Sequence, residues 1–499
     1  MTRWFRFLRK AESDVENIVY RGGTIGEILL CEDFSQELFQ RNSTLISFLK
    51  QNTVITSLLK LSCEIRPSLP STNGSRYSLA FLACEVLAGG YIDYSSLFLT
   101  PNWVQQIQKY ISGEIPLETL GAQYLCKIVR SLLENYPHEF YGHILNDATL
   151  GGLVTHQNLY PMSDLLCEIL SSQRNIEGPE GLYDWIVLHD LVTKLIGSFN
   201  IQSTHVTIQS LVHILTHLLQ LFCRSELVSI FVTPQHVISL LSLINESLEQ
   251  YLTNKQQIPA TQSSSLRSIS SPCFLHNPLI QLLSSLVWMN RVESMDPDVK
   301  MPVPPFVVPI IEAVDGIVKD MKHYTTRTQI DVLLLLSSIV RSNFSLTSSS
   351  ITASSLQILS DLFYQSTSSL LLCELYSLFE CMFTLHASTV GESLLQNTDF
   401  FTKLELCLHN ANSPKPPTPI SSSHPQRTTQ PSQLIPFAIH LARVLSEARQ
   451  SSVYLGTILG QSSSFQDLLD EFVLPSLQVE DQLSSLIKIP EEPQETIIW

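Results

Sequence analysis

The sequence predicts an all-α protein, a HEAT- or armadillo-like helical-repeat α-solenoid with disordered Ser/Pro-rich loops. Three observations lead there. Apolar residues recur at three- and four-residue spacing almost throughout, no stretch sustains the alternation of a half-buried strand, and 18 glycines in 499 residues are few for a chain of tight β-turns.

The helical pattern is clear in "VQQIQKYI" (Val104 to Ile111), "LVHILTHLLQLF" (Leu211 to Phe222) and "HVISLLSLINESLEQYL" (His236 to Leu252). "TQIDVLLLLSSIV" (Thr328 to Val340) is apolar on nearly every side, as a helix packed between neighbours requires. Roughly sixteen segments of about 8–20 residues follow one another through short polar turns. Many similar helices without strand signals point to stacked repeats, each burying its apolar face on the next. No residue signature recurs at a fixed ~40-residue spacing, which leaves a globular all-α domain as the competing architecture. No segment holds an a/d heptad with charged flanks, against a coiled coil.

Four low-complexity stretches interrupt the helices: Asn254 to Pro272, Met295 to Pro309, Ser342 to Ser350 and Asn412 to Gln433. Such Ser/Pro/Gln-rich segments bury too little apolar surface to offset their ordering entropy and read as mobile loops. The expected organisation is a helical-repeat half over 1–253, a Ser/Gln-rich linker at 254–275, a continuation over 276–411, a Pro/Ser-rich loop at 412–433, C-terminal helices at 434–490 and a tail at 491–499. Ser271-Pro272, Ser413-Pro414 and Thr418-Pro419 suit proline-directed kinases, although plain linkers read the same way.

Composition excludes several function classes. A net charge of −16 argues against nucleic-acid binding, which needs a basic stripe. The basic start "RWFRFLRK" (Arg3 to Lys10) is followed by no apolar run or cleavage site of a signal peptide. The longest apolar run, Val332 to Val340, is far short of the ~20 residues that insertion into a bilayer needs. Ten cysteines with no CxxC pair sit mostly within apolar helical patterns and read as buried thiols in a reducing compartment, hence cytoplasm and also nucleus.

Local catalytic signatures are missing: no GxSxG, GxxxxGK[ST], HExxH or kinase HRD/DFG pair is present. "RGGTIGE" (Arg21 to Glu27) lacks both the GxGxxG spacing and a preceding strand. His213 and His217, at i and i+4, share a helix face as two metal ligands would, but no third ligand cluster accompanies them. His138 and His143 fall on different faces, and Trp103 and Trp185 read as packing anchors. No catalytic residue, metal or cofactor is expected.

The run Thr24 to Leu49 mixes apolar residues with carboxylates. Thr24 and Glu27 fit a capping box, Asp33 suits the cap of a second short helix with Phe34, Leu38 and Phe39 as its stripe, and Asn42 or Ser43 suits the cap of a third carrying Leu45, Ile46, Phe48 and Leu49. Negative charge near such helix starts is favoured by ~0.3–1 kcal/mol. The same block, Trp4-Phe5 and then Thr24, Glu27, Ile28, Glu32, Asp33, Gln36, Glu37, Asn42, Leu45, Phe48 and Leu49, resembles the N-terminal pattern of the SAPS-domain proteins, regulatory subunits of protein phosphatase 6 and their fungal relatives. Weaker collinear echoes follow, among them Arg76 to Leu87, Leu182 to Ile196, Ser203 to Leu215, Arg327 to Val340, Leu356 to Phe379 and Tyr454 to Leu459, so the resemblance spans roughly 1–485. Pro101 to Tyr160 and the region around Pro302 to Pro309 match poorly.

The resemblance implies a non-catalytic scaffold that binds the catalytic subunit of a type-2A-like Ser/Thr phosphatase and holds it near its substrates, with room for a further adaptor subunit. It points to Glu32, Asp33, Glu37 and Asn42 as protein-binding positions, with helix capping and solvation as the alternative role for the same residues. The rivals are an unrelated α-solenoid adaptor in transport or the cytoskeleton, and an enzyme whose site assembles from dispersed residues.

Overall fold

The computed structural model describes residues 13–64, 75–93, 98, 100–222, 228, 232–257, 273–289, 303–342, 350–385, 390–412, 434–451, 453–461, 466–467, 469–475 and 478. Among these residues every regular element is helical and no β-strand occurs. The chain is an all-α helical-repeat protein, divided into two compact units, Met1–Val232 and Thr233–Trp499.

The first unit opens with four short helices, α1 (Asp14–Tyr20), α2 (Ile25–Leu29), α3 (Phe34–Phe39) and α4 (Ser43–Leu49). Longer elements follow: α5 (Asn52–Cys63), α6 (Ser75–Ala88), α7 (Pro101–Ser112), α8 (Thr119–Asn135), a one-turn α9 (Pro137–Glu139) running into a π-turn, α10 (Asp147–Thr155), α11 (Tyr160–Leu188), α12 (Leu191–Gly197) and α13 (His205–Leu221). Apart from the consecutive pair α5 and α6, the main packing is between alternate helices. α6, α8, α11 and α13 form one row, each against the next, while α7, α10 and α12 form the other. This is the stacking by which a repeat protein buries a continuous core, since no single helix pair can bury its own face.

Where backbones cross closely, glycine is required. A Cβ on Gly121 of α8 would lie 2.3 Å from the Cys63 carbonyl oxygen of α5, and one on Gly152 of α10 would lie 2.4 Å from the Ile111 carbonyl of α7. α11 is two helices joined at Gly178, whose φ of 77° breaks the spiral just before Pro179.

The second unit repeats the scheme. α14 (Pro234–Gln257), α16 (Val308–Asp320), α18 (Ala353–Gln365) and α20 (Glu392–Asn397) make one row. α15 (Cys273–Met289), α17 (Thr326–Arg341), α19 (Ser369–Leu385) and α22 (Leu434–Ser451) make the other, with α21 (Phe400–Asn412) and α23 (Val453–Gln461) completing the unit. The pairs beginning at Val308 and Ala353 start roughly 45 residues apart, within HEAT and armadillo spacing. α17 is buried from Asp331 to Val340 except at Leu334, and Phe363, Phe379 and Phe400 pack edge-on between the rows.

The low-complexity stretches lie largely outside the described residues. Their described flanks are helical or packed: Asn254 to Gln257 extend α14, and Phe306 and Val307 are buried at the start of α16. The linker expected at 254–275 falls inside the second unit, and the three Ser/Thr-Pro sites lie outside the described residues.

Candidate functional site

Two capping interactions organise the N-terminal block. Thr24 and Glu27 form the expected capping box around α2: the Glu27 N–H donates to Thr24 Oγ1 at 3.3 Å and the Thr24 N–H to Glu27 Oε2 at 3.4 Å. Asn42 caps α4, its Oδ1 accepting from the N–H groups of Thr44 (2.9 Å) and Leu45 (3.3 Å). Its Nδ2 donates to Glu37 Oε2 at 2.6 Å and to Glu16 Oε1 of α1 at 2.8 Å. One amide thus joins α1, α3 and α4, and two of the three carboxylate-bearing helices are locked to each other through it. Glu16, absent from the sequence-based set, belongs to this cluster; "SDVE" (Ser13 to Glu16) marks a helix start, but nothing local ties it to a residue 26 positions away.

Two expectations are corrected. Asp33 sits before α3 in a helical conformation, φ −82° and ψ −7°, and makes no capping hydrogen bond. An N-cap needs extended backbone for its side chain to reach back to the N2 or N3 amide. Phe39, expected in the buried stripe, is 80% exposed, because Phe34 and Leu38 already fill the inward face of a helix barely two turns long. Among the described residues, no hydrogen bond joins Glu32 or Asp33 to the Glu16–Asn42–Glu37 cluster. Glu32 is exposed. The block therefore combines fixed short helices with an outward display of Glu32, Phe39 and, also from this region, Tyr20 and Leu30.

The histidines of α13 meet α11. His213 Nε2 is 3.4 Å from Asp164 Oδ1, and its ring stacks on Tyr160 with centroids 6.0 Å apart. His217 Nε2 lies 2.8 Å from Ser171 Oγ. This has the outline of a Ser–His dyad, but the Ser171 hydroxyl donates to the Cys167 carbonyl at 3.0 Å. The single hydroxyl proton thus has two acceptors within reach, the Cys167 carbonyl and His217 Nε2, and the histidine tautomer sets the direction of the Ser171–His217 bond. Burial, with His213 one turn away, lowers the His217 pKa. Among the described residues no group of three or more His, Cys, Asp or Glu side chains could hold a metal ion. His138 and His143 are exposed, Trp103 is buried, and Trp185 is half-buried against His189.

Cys63, Cys84, Cys126 and Cys167 of this unit are buried packing residues. Burial pushes the Cys63, Cys84 and Cys167 thiols up to about 12, and Cys31, Cys63, Cys84, Cys126, Cys167, Cys373, Cys381 and Cys407 are free thiols. Thiols with so little thiolate are poor nucleophiles. Among the described residues no helix is long and apolar enough to cross a membrane.

The solvent side of the α6–α8–α11–α13 row carries a ladder of charge pairs: Glu85 with Lys127, Arg130 with Glu168, and Asp164 with His213. Sequence reasoning passed over this ladder because its pairs join residues 38 to 49 positions apart.

No family model matches the chain, and no curated protein matches it. Among solved structures, an engineered protein aligns with 93% of this chain and 99% of its own at 13% identity and a TM-score of 0.37.

Proposed function

We propose that the chain is a non-catalytic scaffold that binds the catalytic subunit of a type-2A-like Ser/Thr phosphatase, of the protein phosphatase 6 kind, and that its N-terminal helices take part in the contact. The observation that carries this reading is the N-terminal block: its spacing resembles that of the phosphatase regulators, and it is pre-organised by the Thr24–Glu27 box and the Asn42 bridge while Glu32 and Phe39 point outward. A surface held rigid before binding loses less conformational entropy on association. Exposed Phe beside carboxylates suits a partner patch with an apolar centre and a basic rim. Any hydrolytic chemistry would then be the partner's.

The test is affinity purification of the tagged full chain followed by mass spectrometry, alongside an F39A/E32A variant. Recovery of a phosphatase catalytic chain that falls several-fold in the variant supports the proposal. Recovery of transport or cytoskeletal proteins without any phosphatase would replace it with an unrelated helical-repeat adaptor.

A further inference from the structure

Helices α6, α8 and α11 border a surface groove of about 580 Å³. Tyr124, Lys127, Arg130 and Glu134 line it from one stripe of α8, and Tyr160 and Asp164 from the first turns of α11. Its volume lies within the range of sites that hold small ligands or single side chains with their flanking backbone.

Charge decides what it can hold. Both cations are already engaged by neighbouring helices, Lys127 by Glu85 and Arg130 by Glu168, with Arg130 Nε 2.7 Å from Glu168 Oε2. Asp164 faces no permanent cation; its basic neighbour is the His213 imidazole at 3.4 Å. Glu134 is exposed in the last turn of α8, where helix carbonyls add further negative potential. Around the groove, Glu85, Glu134, Asp164 and Glu168 thus outnumber the two permanent cations. An anionic ligand would have to break existing ion pairs, whereas a cationic one would relieve the surplus.

Aromatic surface supplies the second half of the argument. Tyr160 is 51% exposed, with one face of its ring stacked on His213 at 6.0 Å between centroids, and it stands one helix turn before Asp164; Tyr124 lines the groove from α8. A planar guanidinium stacks on a phenol ring and forks onto a carboxylate at once, a combination that a lysine ammonium does not reproduce.

We infer that this groove binds an arginine-bearing segment of a protein partner, the guanidinium stacked on the Tyr160 face opposite His213 and paired with Asp164, with Glu134 adding attraction. The site is separate from the N-terminal block and stands whether or not the chain's partner is a phosphatase.

Fluorescence anisotropy on the full chain tests it, using labelled Gly/Ser dodecapeptides that carry two Arg, two Lys or two Glu. The Arg peptide is expected to bind, the Lys peptide more weakly and the Glu peptide not at all. Asp164→Asn and Tyr160→Ala should each weaken the Arg peptide about tenfold, the scale of one desolvated cation–π or ionic contact. Tyr160→Phe, which keeps the ring, should bind as the parent does, and Glu180→Gln, an equal loss of charge elsewhere on the same unit, should leave binding unchanged. The proposal fails if the Arg peptide does not bind, if Lys binds equally well, or if Glu180→Gln matches Asp164→Asn, which would reduce the effect to general attraction by an acidic chain. Circular dichroism on each variant separates lost binding from lost fold, and Asp164→Asn and Glu134→Gln remain informative should Tyr160→Ala fail to fold.

Discussion

The carboxylate of Asp315 in α16 caps α18, two helices further along the chain: Asp315 Oδ1 accepts from the Thr352 N–H and from Thr352 Oγ1, both at 2.8 Å, and from Ser355 Oγ at 2.6 Å. Thr352, the residue at the N-cap position, makes no capping bond with its own side chain. The repeat thus completes one helix with a side chain from the preceding member of the same row. Burial alone would push Asp315 up, but hydrogen bonds from Lys319, Ser355 and Thr352 outweigh it and hold the carboxyl well below the usual carboxylate range. Asp315→Ala should cost about 2–3 kcal/mol, since it removes a cap and strands buried donors. The sign with pH follows from the lowered value: the contribution is fully present above the ordinary carboxylate pKa and is lost as pH falls toward the folded value. Urea melts of parent and variant should therefore differ widely at neutral pH, and the gap should narrow near pH 3 without closing, because the folded carboxyl is still largely ionised there.

Asp331 is the opposite case. It is 1% exposed between α17 and α15, where Gln281 Nε2 donates to its Oδ1 at 3.0 Å. Its other oxygen lies 3.8 Å from Arg327 Nε, beyond hydrogen-bond reach, and the Arg327 side chain is largely in solvent. Burial raises its pKa, only partly countered by Gln281 and Arg327. A raised carboxyl costs the fold stability once pH exceeds the unfolded value. Asp331→Asn keeps an acceptor for Gln281 and removes the buried charge, so it should stabilise the second unit at pH 7 by on the order of 1 kcal/mol. A Tm that falls at neutral pH would contradict this.

How far the sequence disclosed all this depends on separation along the chain. The helices and the Thr24–Glu27 box rest on spacings of three and four residues, so they were readable, as was the burial of Leu45, Leu49 and most of Asp331 to Val340 in α17. Asp33 and Phe39 were misplaced because a helix of barely two turns has room for one inward row, and the backbone before it is already helical. The Glu16–Asn42 bridge, the Asp315–Thr352 cap and the charge ladder beside Tyr160 join residues 26 to 49 positions apart, which only the packing of helices distant in sequence brings together. No local pattern encodes those contacts. The partner remains a matter of resemblance, since neither capping nor burial distinguishes a docking acid from a solvated one at Glu32.

The Asn42 bridge makes separable predictions. Asn42→Ala removes the α4 cap and the link to α1, and should lower stability by about 1–2 kcal/mol. Asn42→Asp retains an acceptor for Thr44 and Leu45 but turns both amide bonds into repulsion from Glu16 and Glu37. It should therefore destabilise at pH 7 and recover as the carboxylates protonate in acid, whereas Asn42→Ala should not recover. Glu32→Gln, at an exposed position, should leave the melt unchanged. Paired pH-dependent denaturation curves distinguish these three behaviours.

Close helix crossings give the sharpest contrast between neighbouring positions. Gly151 and Gly152 are adjacent in α10, yet a Cβ at Gly151 meets nothing within 4 Å, while one at Gly152 would lie 2.4 Å from backbone atoms of Ile111 and Ser112. Backbone cannot rotate out of the way as a flexible side-chain tip can, so Gly152→Ala must push α10 from α7. The expected cost is about 2–3 kcal/mol, in the range of overpacked cores. Gly121→Ala should behave alike, its Cβ 2.3 Å from the Cys63 carbonyl oxygen. Gly151→Ala should instead gain about 0.5–1 kcal/mol, because alanine restricts the unfolded chain and favours helix at no steric cost. Chemical denaturation of the three variants checks both signs at once, and a Gly152→Ala protein as stable as its Gly151→Ala neighbour would mean that α7 and α10 are not packed at this distance.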